Sequence, residues 1–381
     1  MIVYLIGFIL TIILLYISEY KVKSKRKKFL LRVVAVLPLL VISAIRYNVG
    51  TDYDKRYVQD YINLSKGIEV ANLEIGFKAI DYMCLLFTKE PFLLFIITST
   101  IILSIIFEVI YKKSINKILS IIIFFFGGYF FGTLNLVRQY VAVALVMLGY
   151  QFFTSDNKKK AYIGFIICAI LAFLMHSSSI ICFAILFLNR KNLVSVKWVI
   201  PVSILVLILN QNIMKILTPI IKNTRFNVYL IGKFAGGELS LLTIIENFVV
   251  YIFMYLIYCY NEKNGKTMDR EGITYLNIQG LALLCTVAGV IHMQFLRIAI
   301  YFWAFQILSI PYYLENAPYE KIAELIENKF KKKILIKNVK IIVYSLVVIG
   351  FIAIFIYTNV LNNDNGVVPY QTIFSKGFKI K

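Results

Sequence analysis

"GTLNLVRQYVAVALVMLGYQFF", residues 132–153, decides what kind of protein this is. After Gln139 it runs apolar and uncharged to Phe153, yet Arg138 and Gln139 stand about one turn inside its start. Runs of this kind recur along the chain at about the ~20 residues that carry a helix across a bilayer. Of 381 residues 60% are hydrophobic and 16% charged, and no polar stretch is long enough to cover the core of a separate soluble domain. The sequence therefore predicts an all-α, polytopic integral membrane protein with a single transmembrane domain over 1–381. Helices are expected near 2–18, 29–45, 92–111, 118–133, 134–153, 161–175, 177–189, 196–212, 240–259, 273–291, 295–313 and 339–359, about 12 spans. Phe77 to Thr88 reads as a further amphipathic or re-entrant helix. Residues 1–20 have their basic cluster after the apolar run instead of before it, which predicts a retained first helix rather than a signal peptide.

The formal net charge of +21 would suggest a polyanionic partner in a soluble chain. Here Lys and Arg gather in short clusters between apolar runs, which is the pattern that records membrane orientation. Laying the spans down alternately puts the clusters at 19–32, 112–117, 158–160, 190–197, 262–270 and 321–340 on one side, 26 of the 41 basic residues. That side is expected to be the cytoplasm, with a basic loop at about 314–338. Both termini, an outer loop at about 46–91, and the tail "NGVVPYQTIF" are expected outside. Nucleic acid is not expected as a partner.

Five cysteines, all in apolar segments without CxxC spacing, read as small buried hydrophobes rather than a disulfide framework. Two histidines with no thiol pair nearby are too few for a zinc site, so no metal and no cofactor are expected.

Ionisable groups at or inside helix ends are costly to hold in hydrocarbon and are functional candidates for that reason. Arg138, with Gln139 beside it, is the clearest; a guanidinium fork suits phosphate oxygens, though snorkelling to the headgroup layer is the plain alternative. Arg297 repeats the situation, with Tyr301 four residues on along the same face, and Arg46 ends the second span. Three such arginines at one membrane level would clamp an anion, and Arg225 falls on the same expected face. His176, near an outer hairpin, is a candidate general base, a donor to phosphate, or an interfacial residue; His292, in a short turn, reads as interfacial.

The "GTDYDK" stretch resembles the Asp-x-Asp of sugar-nucleotide-dependent transferases, but those donors are cytoplasmic and this loop is expected outside. A single carboxylate, Asp52, remains a candidate base or arginine partner, with Asp54 a solvated neighbour. Gly50 predicts a tight turn presenting Asp52 and Tyr53. Glu74 precedes an amphipathic helix and reads most simply as its cap. Tyr47, Tyr53, Tyr57 and Tyr61 are candidates for stacking on sugar rings.

Taken in order, "RYNVGTDYDKRY", "EIGF", "GTLNLVRQYVAVAL", "LAFLMHSSSI", "LRIAIYF" and "VVPYQTIF" resemble the EpsG family of membrane proteins from exopolysaccharide and capsule loci. The resemblance implies a Wzy-like polysaccharide polymerase, similar to the GT-C class of membrane glycosyltransferases and metal-independent. Such an enzyme joins repeat units carried on undecaprenyl pyrophosphate at the outer face of the cell membrane. Its partners would be the lipid-linked oligosaccharide, the bilayer, and other polysaccharide-export and chain-length proteins. By matching motifs, Arg46, Gly50, Asp52 and Tyr53, then Arg138 and Gln139, then His176, and finally Arg297 with Tyr301 nearby would form the site, Asp52 or His176 serving as base. A flippase for the same lipid-linked unit is the transporter alternative, disfavoured by the lack of an internal repeat. A membrane acyltransferase is the third reading, disfavoured by cytoplasmic loops without histidine.

Overall fold

The apolar runs fold as helices whose ends fall where glycine, proline or clustered lysine interrupts the hydropathy. A computed structural model describes residues 1–153, 158–188, 193–222, 241–331 and 333–374. Its α-helices are α1 Ile2–Tyr16, α2 Lys25–Ala44, α3 Gln59–Ser65, α4 Ile75–Leu85, α5 Phe92–Lys113, α6 Lys117–Phe126, α7 Tyr129–Asn135 and α8 Val137–Phe153. They continue with α9 Lys158–Met175, α10 Val196–Lys222, α11 Leu241–Lys263, α12 Arg270–Ala288, α13 Gln294–Trp303, α14 Gln306–Glu315, α15 Tyr319–Phe330 and α16 Ile336–Phe355. No strand occurs among the described residues; the nearest feature is one antiparallel bridge between Arg46 and Thr372. Arg225 lies outside the described residues.

Among the described residues, five helices are long and apolar enough to cross a membrane, or up to seven if each bent pair is one span. That is fewer than the twelve or so runs read from hydropathy, for local reasons. The run 118–133 is broken by Gly127 and Gly128, where Gly128 takes φ +78°, and α6 and α7 meet at a bend of 51°. α13 and α14 likewise meet at 46°. α8 and the 3₁₀ segment Ser177–Phe187 are apolar but short. α2 and α9 carry several basic residues in their first turns, and α12 is interrupted by Thr274, Asn277 and Gln279. Within 46–91 a π-helical turn, Tyr53–Val58, runs into α3, and α4 follows, covering most of the helix expected at Phe77 to Thr88. Within 314–338 lies α15, which is amphipathic.

The chain forms two compact units, Met1–Ile180 with Lys340–Lys381, and Ile181–Val339. In the first, α1 packs on α2, α2 on α5, α5 on α8, and α8 on α9. One end of this stack is basic. Glu19 collects Lys28 at 2.9 Å, Arg32 at 2.7 Å and Lys117 at 3.9 Å, tying the turn between α1 and α2 to the start of α6. The 20 residues of α2 carry the chain roughly 30 Å from that cluster to Arg46 at the other end. In the second unit α12 is central, packed against α10, α11, α13 and α14. Its buried amides satisfy one another: Asn247 Oδ1 accepts from Gln279 and Gln306 Nε2, each at 3.1 Å.

Candidate active site

The end of the first unit opposite Glu19 is assembled by two glycines and one asparagine. Gly50 adopts φ +106°, and a Cβ there would fall 2.7 Å from the Leu134 carbonyl oxygen, so only glycine lets the "GTD" turn lie on the end of α7. There Asn135 Oδ1 accepts from Thr51 Oγ1 at 2.9 Å and from the Asp52 backbone N–H at 3.1 Å. The Asn135 amide donates onward to Asn365 at 3.4 Å, and Asn365 to Asn359 at 3.1 Å. Gly50 N–H donates to the Gly366 carbonyl at 2.9 Å, which brings the C-terminal "NGVV" into the same knot. Asp52 is thus fixed by its backbone and is half-buried.

Glu74 occupies the position before α4 but does not cap it. Its Oε2 lies 2.9 Å from Arg138 Nη1, and its Oε1 lies 2.7 Å from His176 Nδ1. The Ser177 N–H adds a long donation to Oε1 at 3.4 Å. One carboxylate therefore bridges the start of α8 and the end of α9, at residues 64 and 102 positions away in sequence. Burial alone would raise the Glu74 carboxyl, but the His176 hydrogen bond and the Arg138 charge outweigh it and hold the group below the usual range. All three side chains are largely enclosed, Arg138 most of all.

Two further carboxyls stand near Arg138. Asp81 of α4 is buried, with Oδ1 making no hydrogen bond. Burial first, and the charge of Asp60 second, push it up to about 7, against the pull of Arg138. Asp60 of α3 is raised too, by burial, with Arg138 and Arg56 opposing. Tyr57 is buried against the backbone of Val137 and Arg138 and feels the charges of Arg138 and Asp52.

Arg46 sits apart from this cluster, enclosed at 1% exposure. Its Nη1 donates to the Ser43 carbonyl and to Ser99 Oγ at 3.0 Å, and its guanidinium lies 4.6 Å from the centre of the Phe95 ring. Nε and Nη2 are buried without a hydrogen bond, and no carboxylate contacts the group among the described residues. The C-terminal segment roofs it: Tyr47 N–H donates to Gln371, Ile373 N–H to Ile45, and the Tyr370 hydroxyl to Ile42. Arg46 is therefore enclosed within the protein.

Tyr53 and Tyr61 correct the expectation of exposed stacking platforms. The Tyr53 ring is stacked on Phe95 at 4.3 Å and its hydroxyl faces the Arg46 carbonyl, while Tyr61 is fully buried and donates to the Thr88 carbonyl. Tyr57 is buried as well, and only Tyr47 keeps part of its ring accessible. Gln139 is buried within α8. Arg297, Tyr301 and His292 belong to the second unit, where Tyr301 is buried and His292 Nδ1 accepts from the Gln294 backbone at 3.2 Å. The structure thus brings Arg138 and His176 together through Glu74, holds the Asp52 turn on the end of α7, and buries Arg46 against Ser43, Ser99 and Phe95.

Asn135, Asp60 and Asp81 were not legible as site residues. Asn135 has one sequence signal, its place three residues before Arg138; the two aspartates have none. Among the described residues no group of three or more His, Cys, Asp or Glu side chains is placed to hold a metal ion.

The stretches that build this end, from Arg46 through "EIGF", Arg138 and His176 to Thr372, all fall within residues 28–372, which the EpsG family model matches. The chain belongs to the EpsG family. Neither a curated protein nor a solved structure matches it. EpsG membership accounts for nearly the whole chain, both compact units included.

Proposed function

We propose that this EpsG-family protein is a membrane glycosyltransferase that polymerises lipid-linked oligosaccharide repeat units into exopolysaccharide or capsule. It acts at the outer face of the cytoplasmic membrane, with the Arg138 end of the first unit facing outward and the Glu19 end facing the cytoplasm. The donor is a glycan chain on undecaprenyl pyrophosphate, and the acceptor is a hydroxyl of an incoming lipid-linked unit.

The observation that supports this reading is the Glu74–Arg138–His176 cluster at one end of a stack of apolar helices. Glycosyl transfer from a lipid pyrophosphate needs a cation for the leaving group and a base for the acceptor hydroxyl. Arg138, at the start of α8, combines a guanidinium with the positive end of a helix dipole, both suited to phosphate oxygens. In this reading that charge offsets the negative charge that grows as the pyrophosphate departs. His176 and Asp52 are both near enough to this end to serve as base. The long apolar carrier favours a site at helix ends, which a prenyl chain reaches from the bilayer.

Deleting the gene should abolish long polymer and leave single lipid-linked repeat units at the outer face, both reversed by the wild-type copy. Units trapped facing inward would show a flippase instead. Polymer of normal length lacking a substituent would show an acyltransferase.

A further inference from the structure

His176 Nδ1 and Glu74 Oε1 are 2.7 Å apart. An ionised carboxylate can only accept, so the ring nitrogen facing it must carry a proton. A neutral imidazole has one such proton, which leaves Nε2 with its lone pair. Among the described residues no hydrogen-bond partner is placed on Nε2, and the side chain keeps 19% exposure. The other Glu74 oxygen is held by Arg138 at 2.9 Å, so the carboxylate cannot turn away from the ring without breaking a buried ion pair. Gly76 fixes the approach of the two segments, since a Cβ there would lie 2.8 Å from the Leu174 carbonyl oxygen, two residues before His176.

We propose that Glu74 is a positioning residue: it locks His176 with Nδ1–H toward α4 and presents Nε2 as the general base for the acceptor hydroxyl. The proposal rests on the polymerase reading and decides between the two candidate bases in favour of His176. In the step, Nε2 takes the acceptor proton as the acceptor oxygen bonds to the anomeric carbon of the donor. The bond from that carbon to the pyrophosphate oxygen breaks, and the electron pair leaves with undecaprenyl pyrophosphate. Arg138 faces the charge that develops there. The imidazolium, stabilised by Glu74 until the product departs, then returns its proton to solvent.

Two readouts test this on the full-length protein in liposomes, with lipid-linked repeat unit extracted from the deletion strain as substrate. The chain has two histidines, so ¹⁵N-histidine NMR resolves His176 once its signal is identified by loss in His176→Asn. Expected is a protonated Nδ1 and unprotonated Nε2 in wild type. Glu74→Gln, whose amide can donate as well as accept, should mix the tautomers and lower kcat at least about tenfold with KM little changed. Glu74→Asp, which keeps the charge on a shorter arm, should fall between. A wild-type ring protonated on Nε2 instead of Nδ1 overturns the proposal, as does any variant in which tautomer and rate fail to change together. The wild-type tautomer decides the matter even if Glu74→Gln does not fold. Absence of polymer from wild-type protein in these liposomes would sink the polymerase reading, while the tautomer would still test the positioning of His176.

Discussion

Gly76 and Leu174 are in such close approach that a Cβ on the glycine would lie 2.8 Å from the leucine carbonyl oxygen and 3.0 Å from its carbonyl carbon. The obstacle is backbone, which cannot rotate aside. Gly76→Ala should therefore push α4 from α9 and stretch the Glu74–His176 contact. Overpacking of this kind costs about 1–3 kcal/mol. The expected outcome is a lowered thermal midpoint in detergent together with short or absent polymer. A variant with wild-type stability and full-length polymer would show that the approach is not needed.

Arg138 is paired with Glu74 at side-chain exposures of 7% and 14%. Removing one partner of a buried pair leaves the other uncompensated, a loss of about 3–5 kcal/mol, whereas replacing both by matched neutral groups is often far milder. Arg138→Met should thus be strongly destabilised, and Glu74→Gln/Arg138→Met should recover much of that stability without recovering polymer. Recovery of polymer in the double variant would remove Arg138 from the chemistry.

The carboxyls of this end predict opposite pH limbs. Glu74 is held below its ordinary 4.5, so its stabilisation is present above that value and is lost as pH falls through its folded value. Asp81 is raised from 3.8 to about 7, so its contribution is full below 3.8 and is lost as pH rises through about 7. Thermal stability should therefore increase from about pH 8 to about pH 5 and then decline on further acidification. Asp81→Asn should flatten the limb near neutrality and leave the acid limb in place. An unchanged neutral limb in that variant would assign it to another group.

Arg46 is stacked on Phe95 and has two buried nitrogens without hydrogen bonds. Lysine at this position keeps the charge but loses the planar fork and the stacking, so Arg46→Lys should cost about 1–3 kcal/mol. Arg46→Met removes the unpartnered donors while keeping the length, and it should unfold closer to wild type than the lysine variant does. Polymer length should persist in Arg46→Met, because the enclosed guanidinium has no surface to offer a phosphate. Loss of polymer in a well-folded Arg46→Met protein would return Arg46 to the binding site.

Lys55 is exposed on the turn beside Asp52, and Lys27 is exposed at the basic end of α2. A cysteine at position 55 should react with a membrane-impermeant maleimide added to intact cells, and one at position 27 only after permeabilisation. The reverse pattern would invert the orientation and move the proposed chemistry to the wrong side of the membrane.

Composition and the apolar runs pointed to a helical chain with segments long and apolar enough to cross a membrane, as the described residues show. The order of its polar motifs pointed to the EpsG family. These are local properties, summed along the chain, and they survive without any knowledge of packing. The same local sums did not show where a run bends or is interrupted: a glycine pair bends one at 51°, and basic or polar residues break the apolar character of others. What sequence could not decide was which polar groups meet. Glu74 looked like a cap and instead holds Arg138 and His176; Asn135, the last residue of α7, uses its side chain to knot the "GTD" turn to the C-terminal segment. Arg46 and Tyr53, candidates for binding by sequence, are buried. Each of these outcomes depends on contacts between segments tens to hundreds of residues apart, and on burial that only packing creates. The three-way contact of Glu74 is therefore a property of the tertiary structure alone.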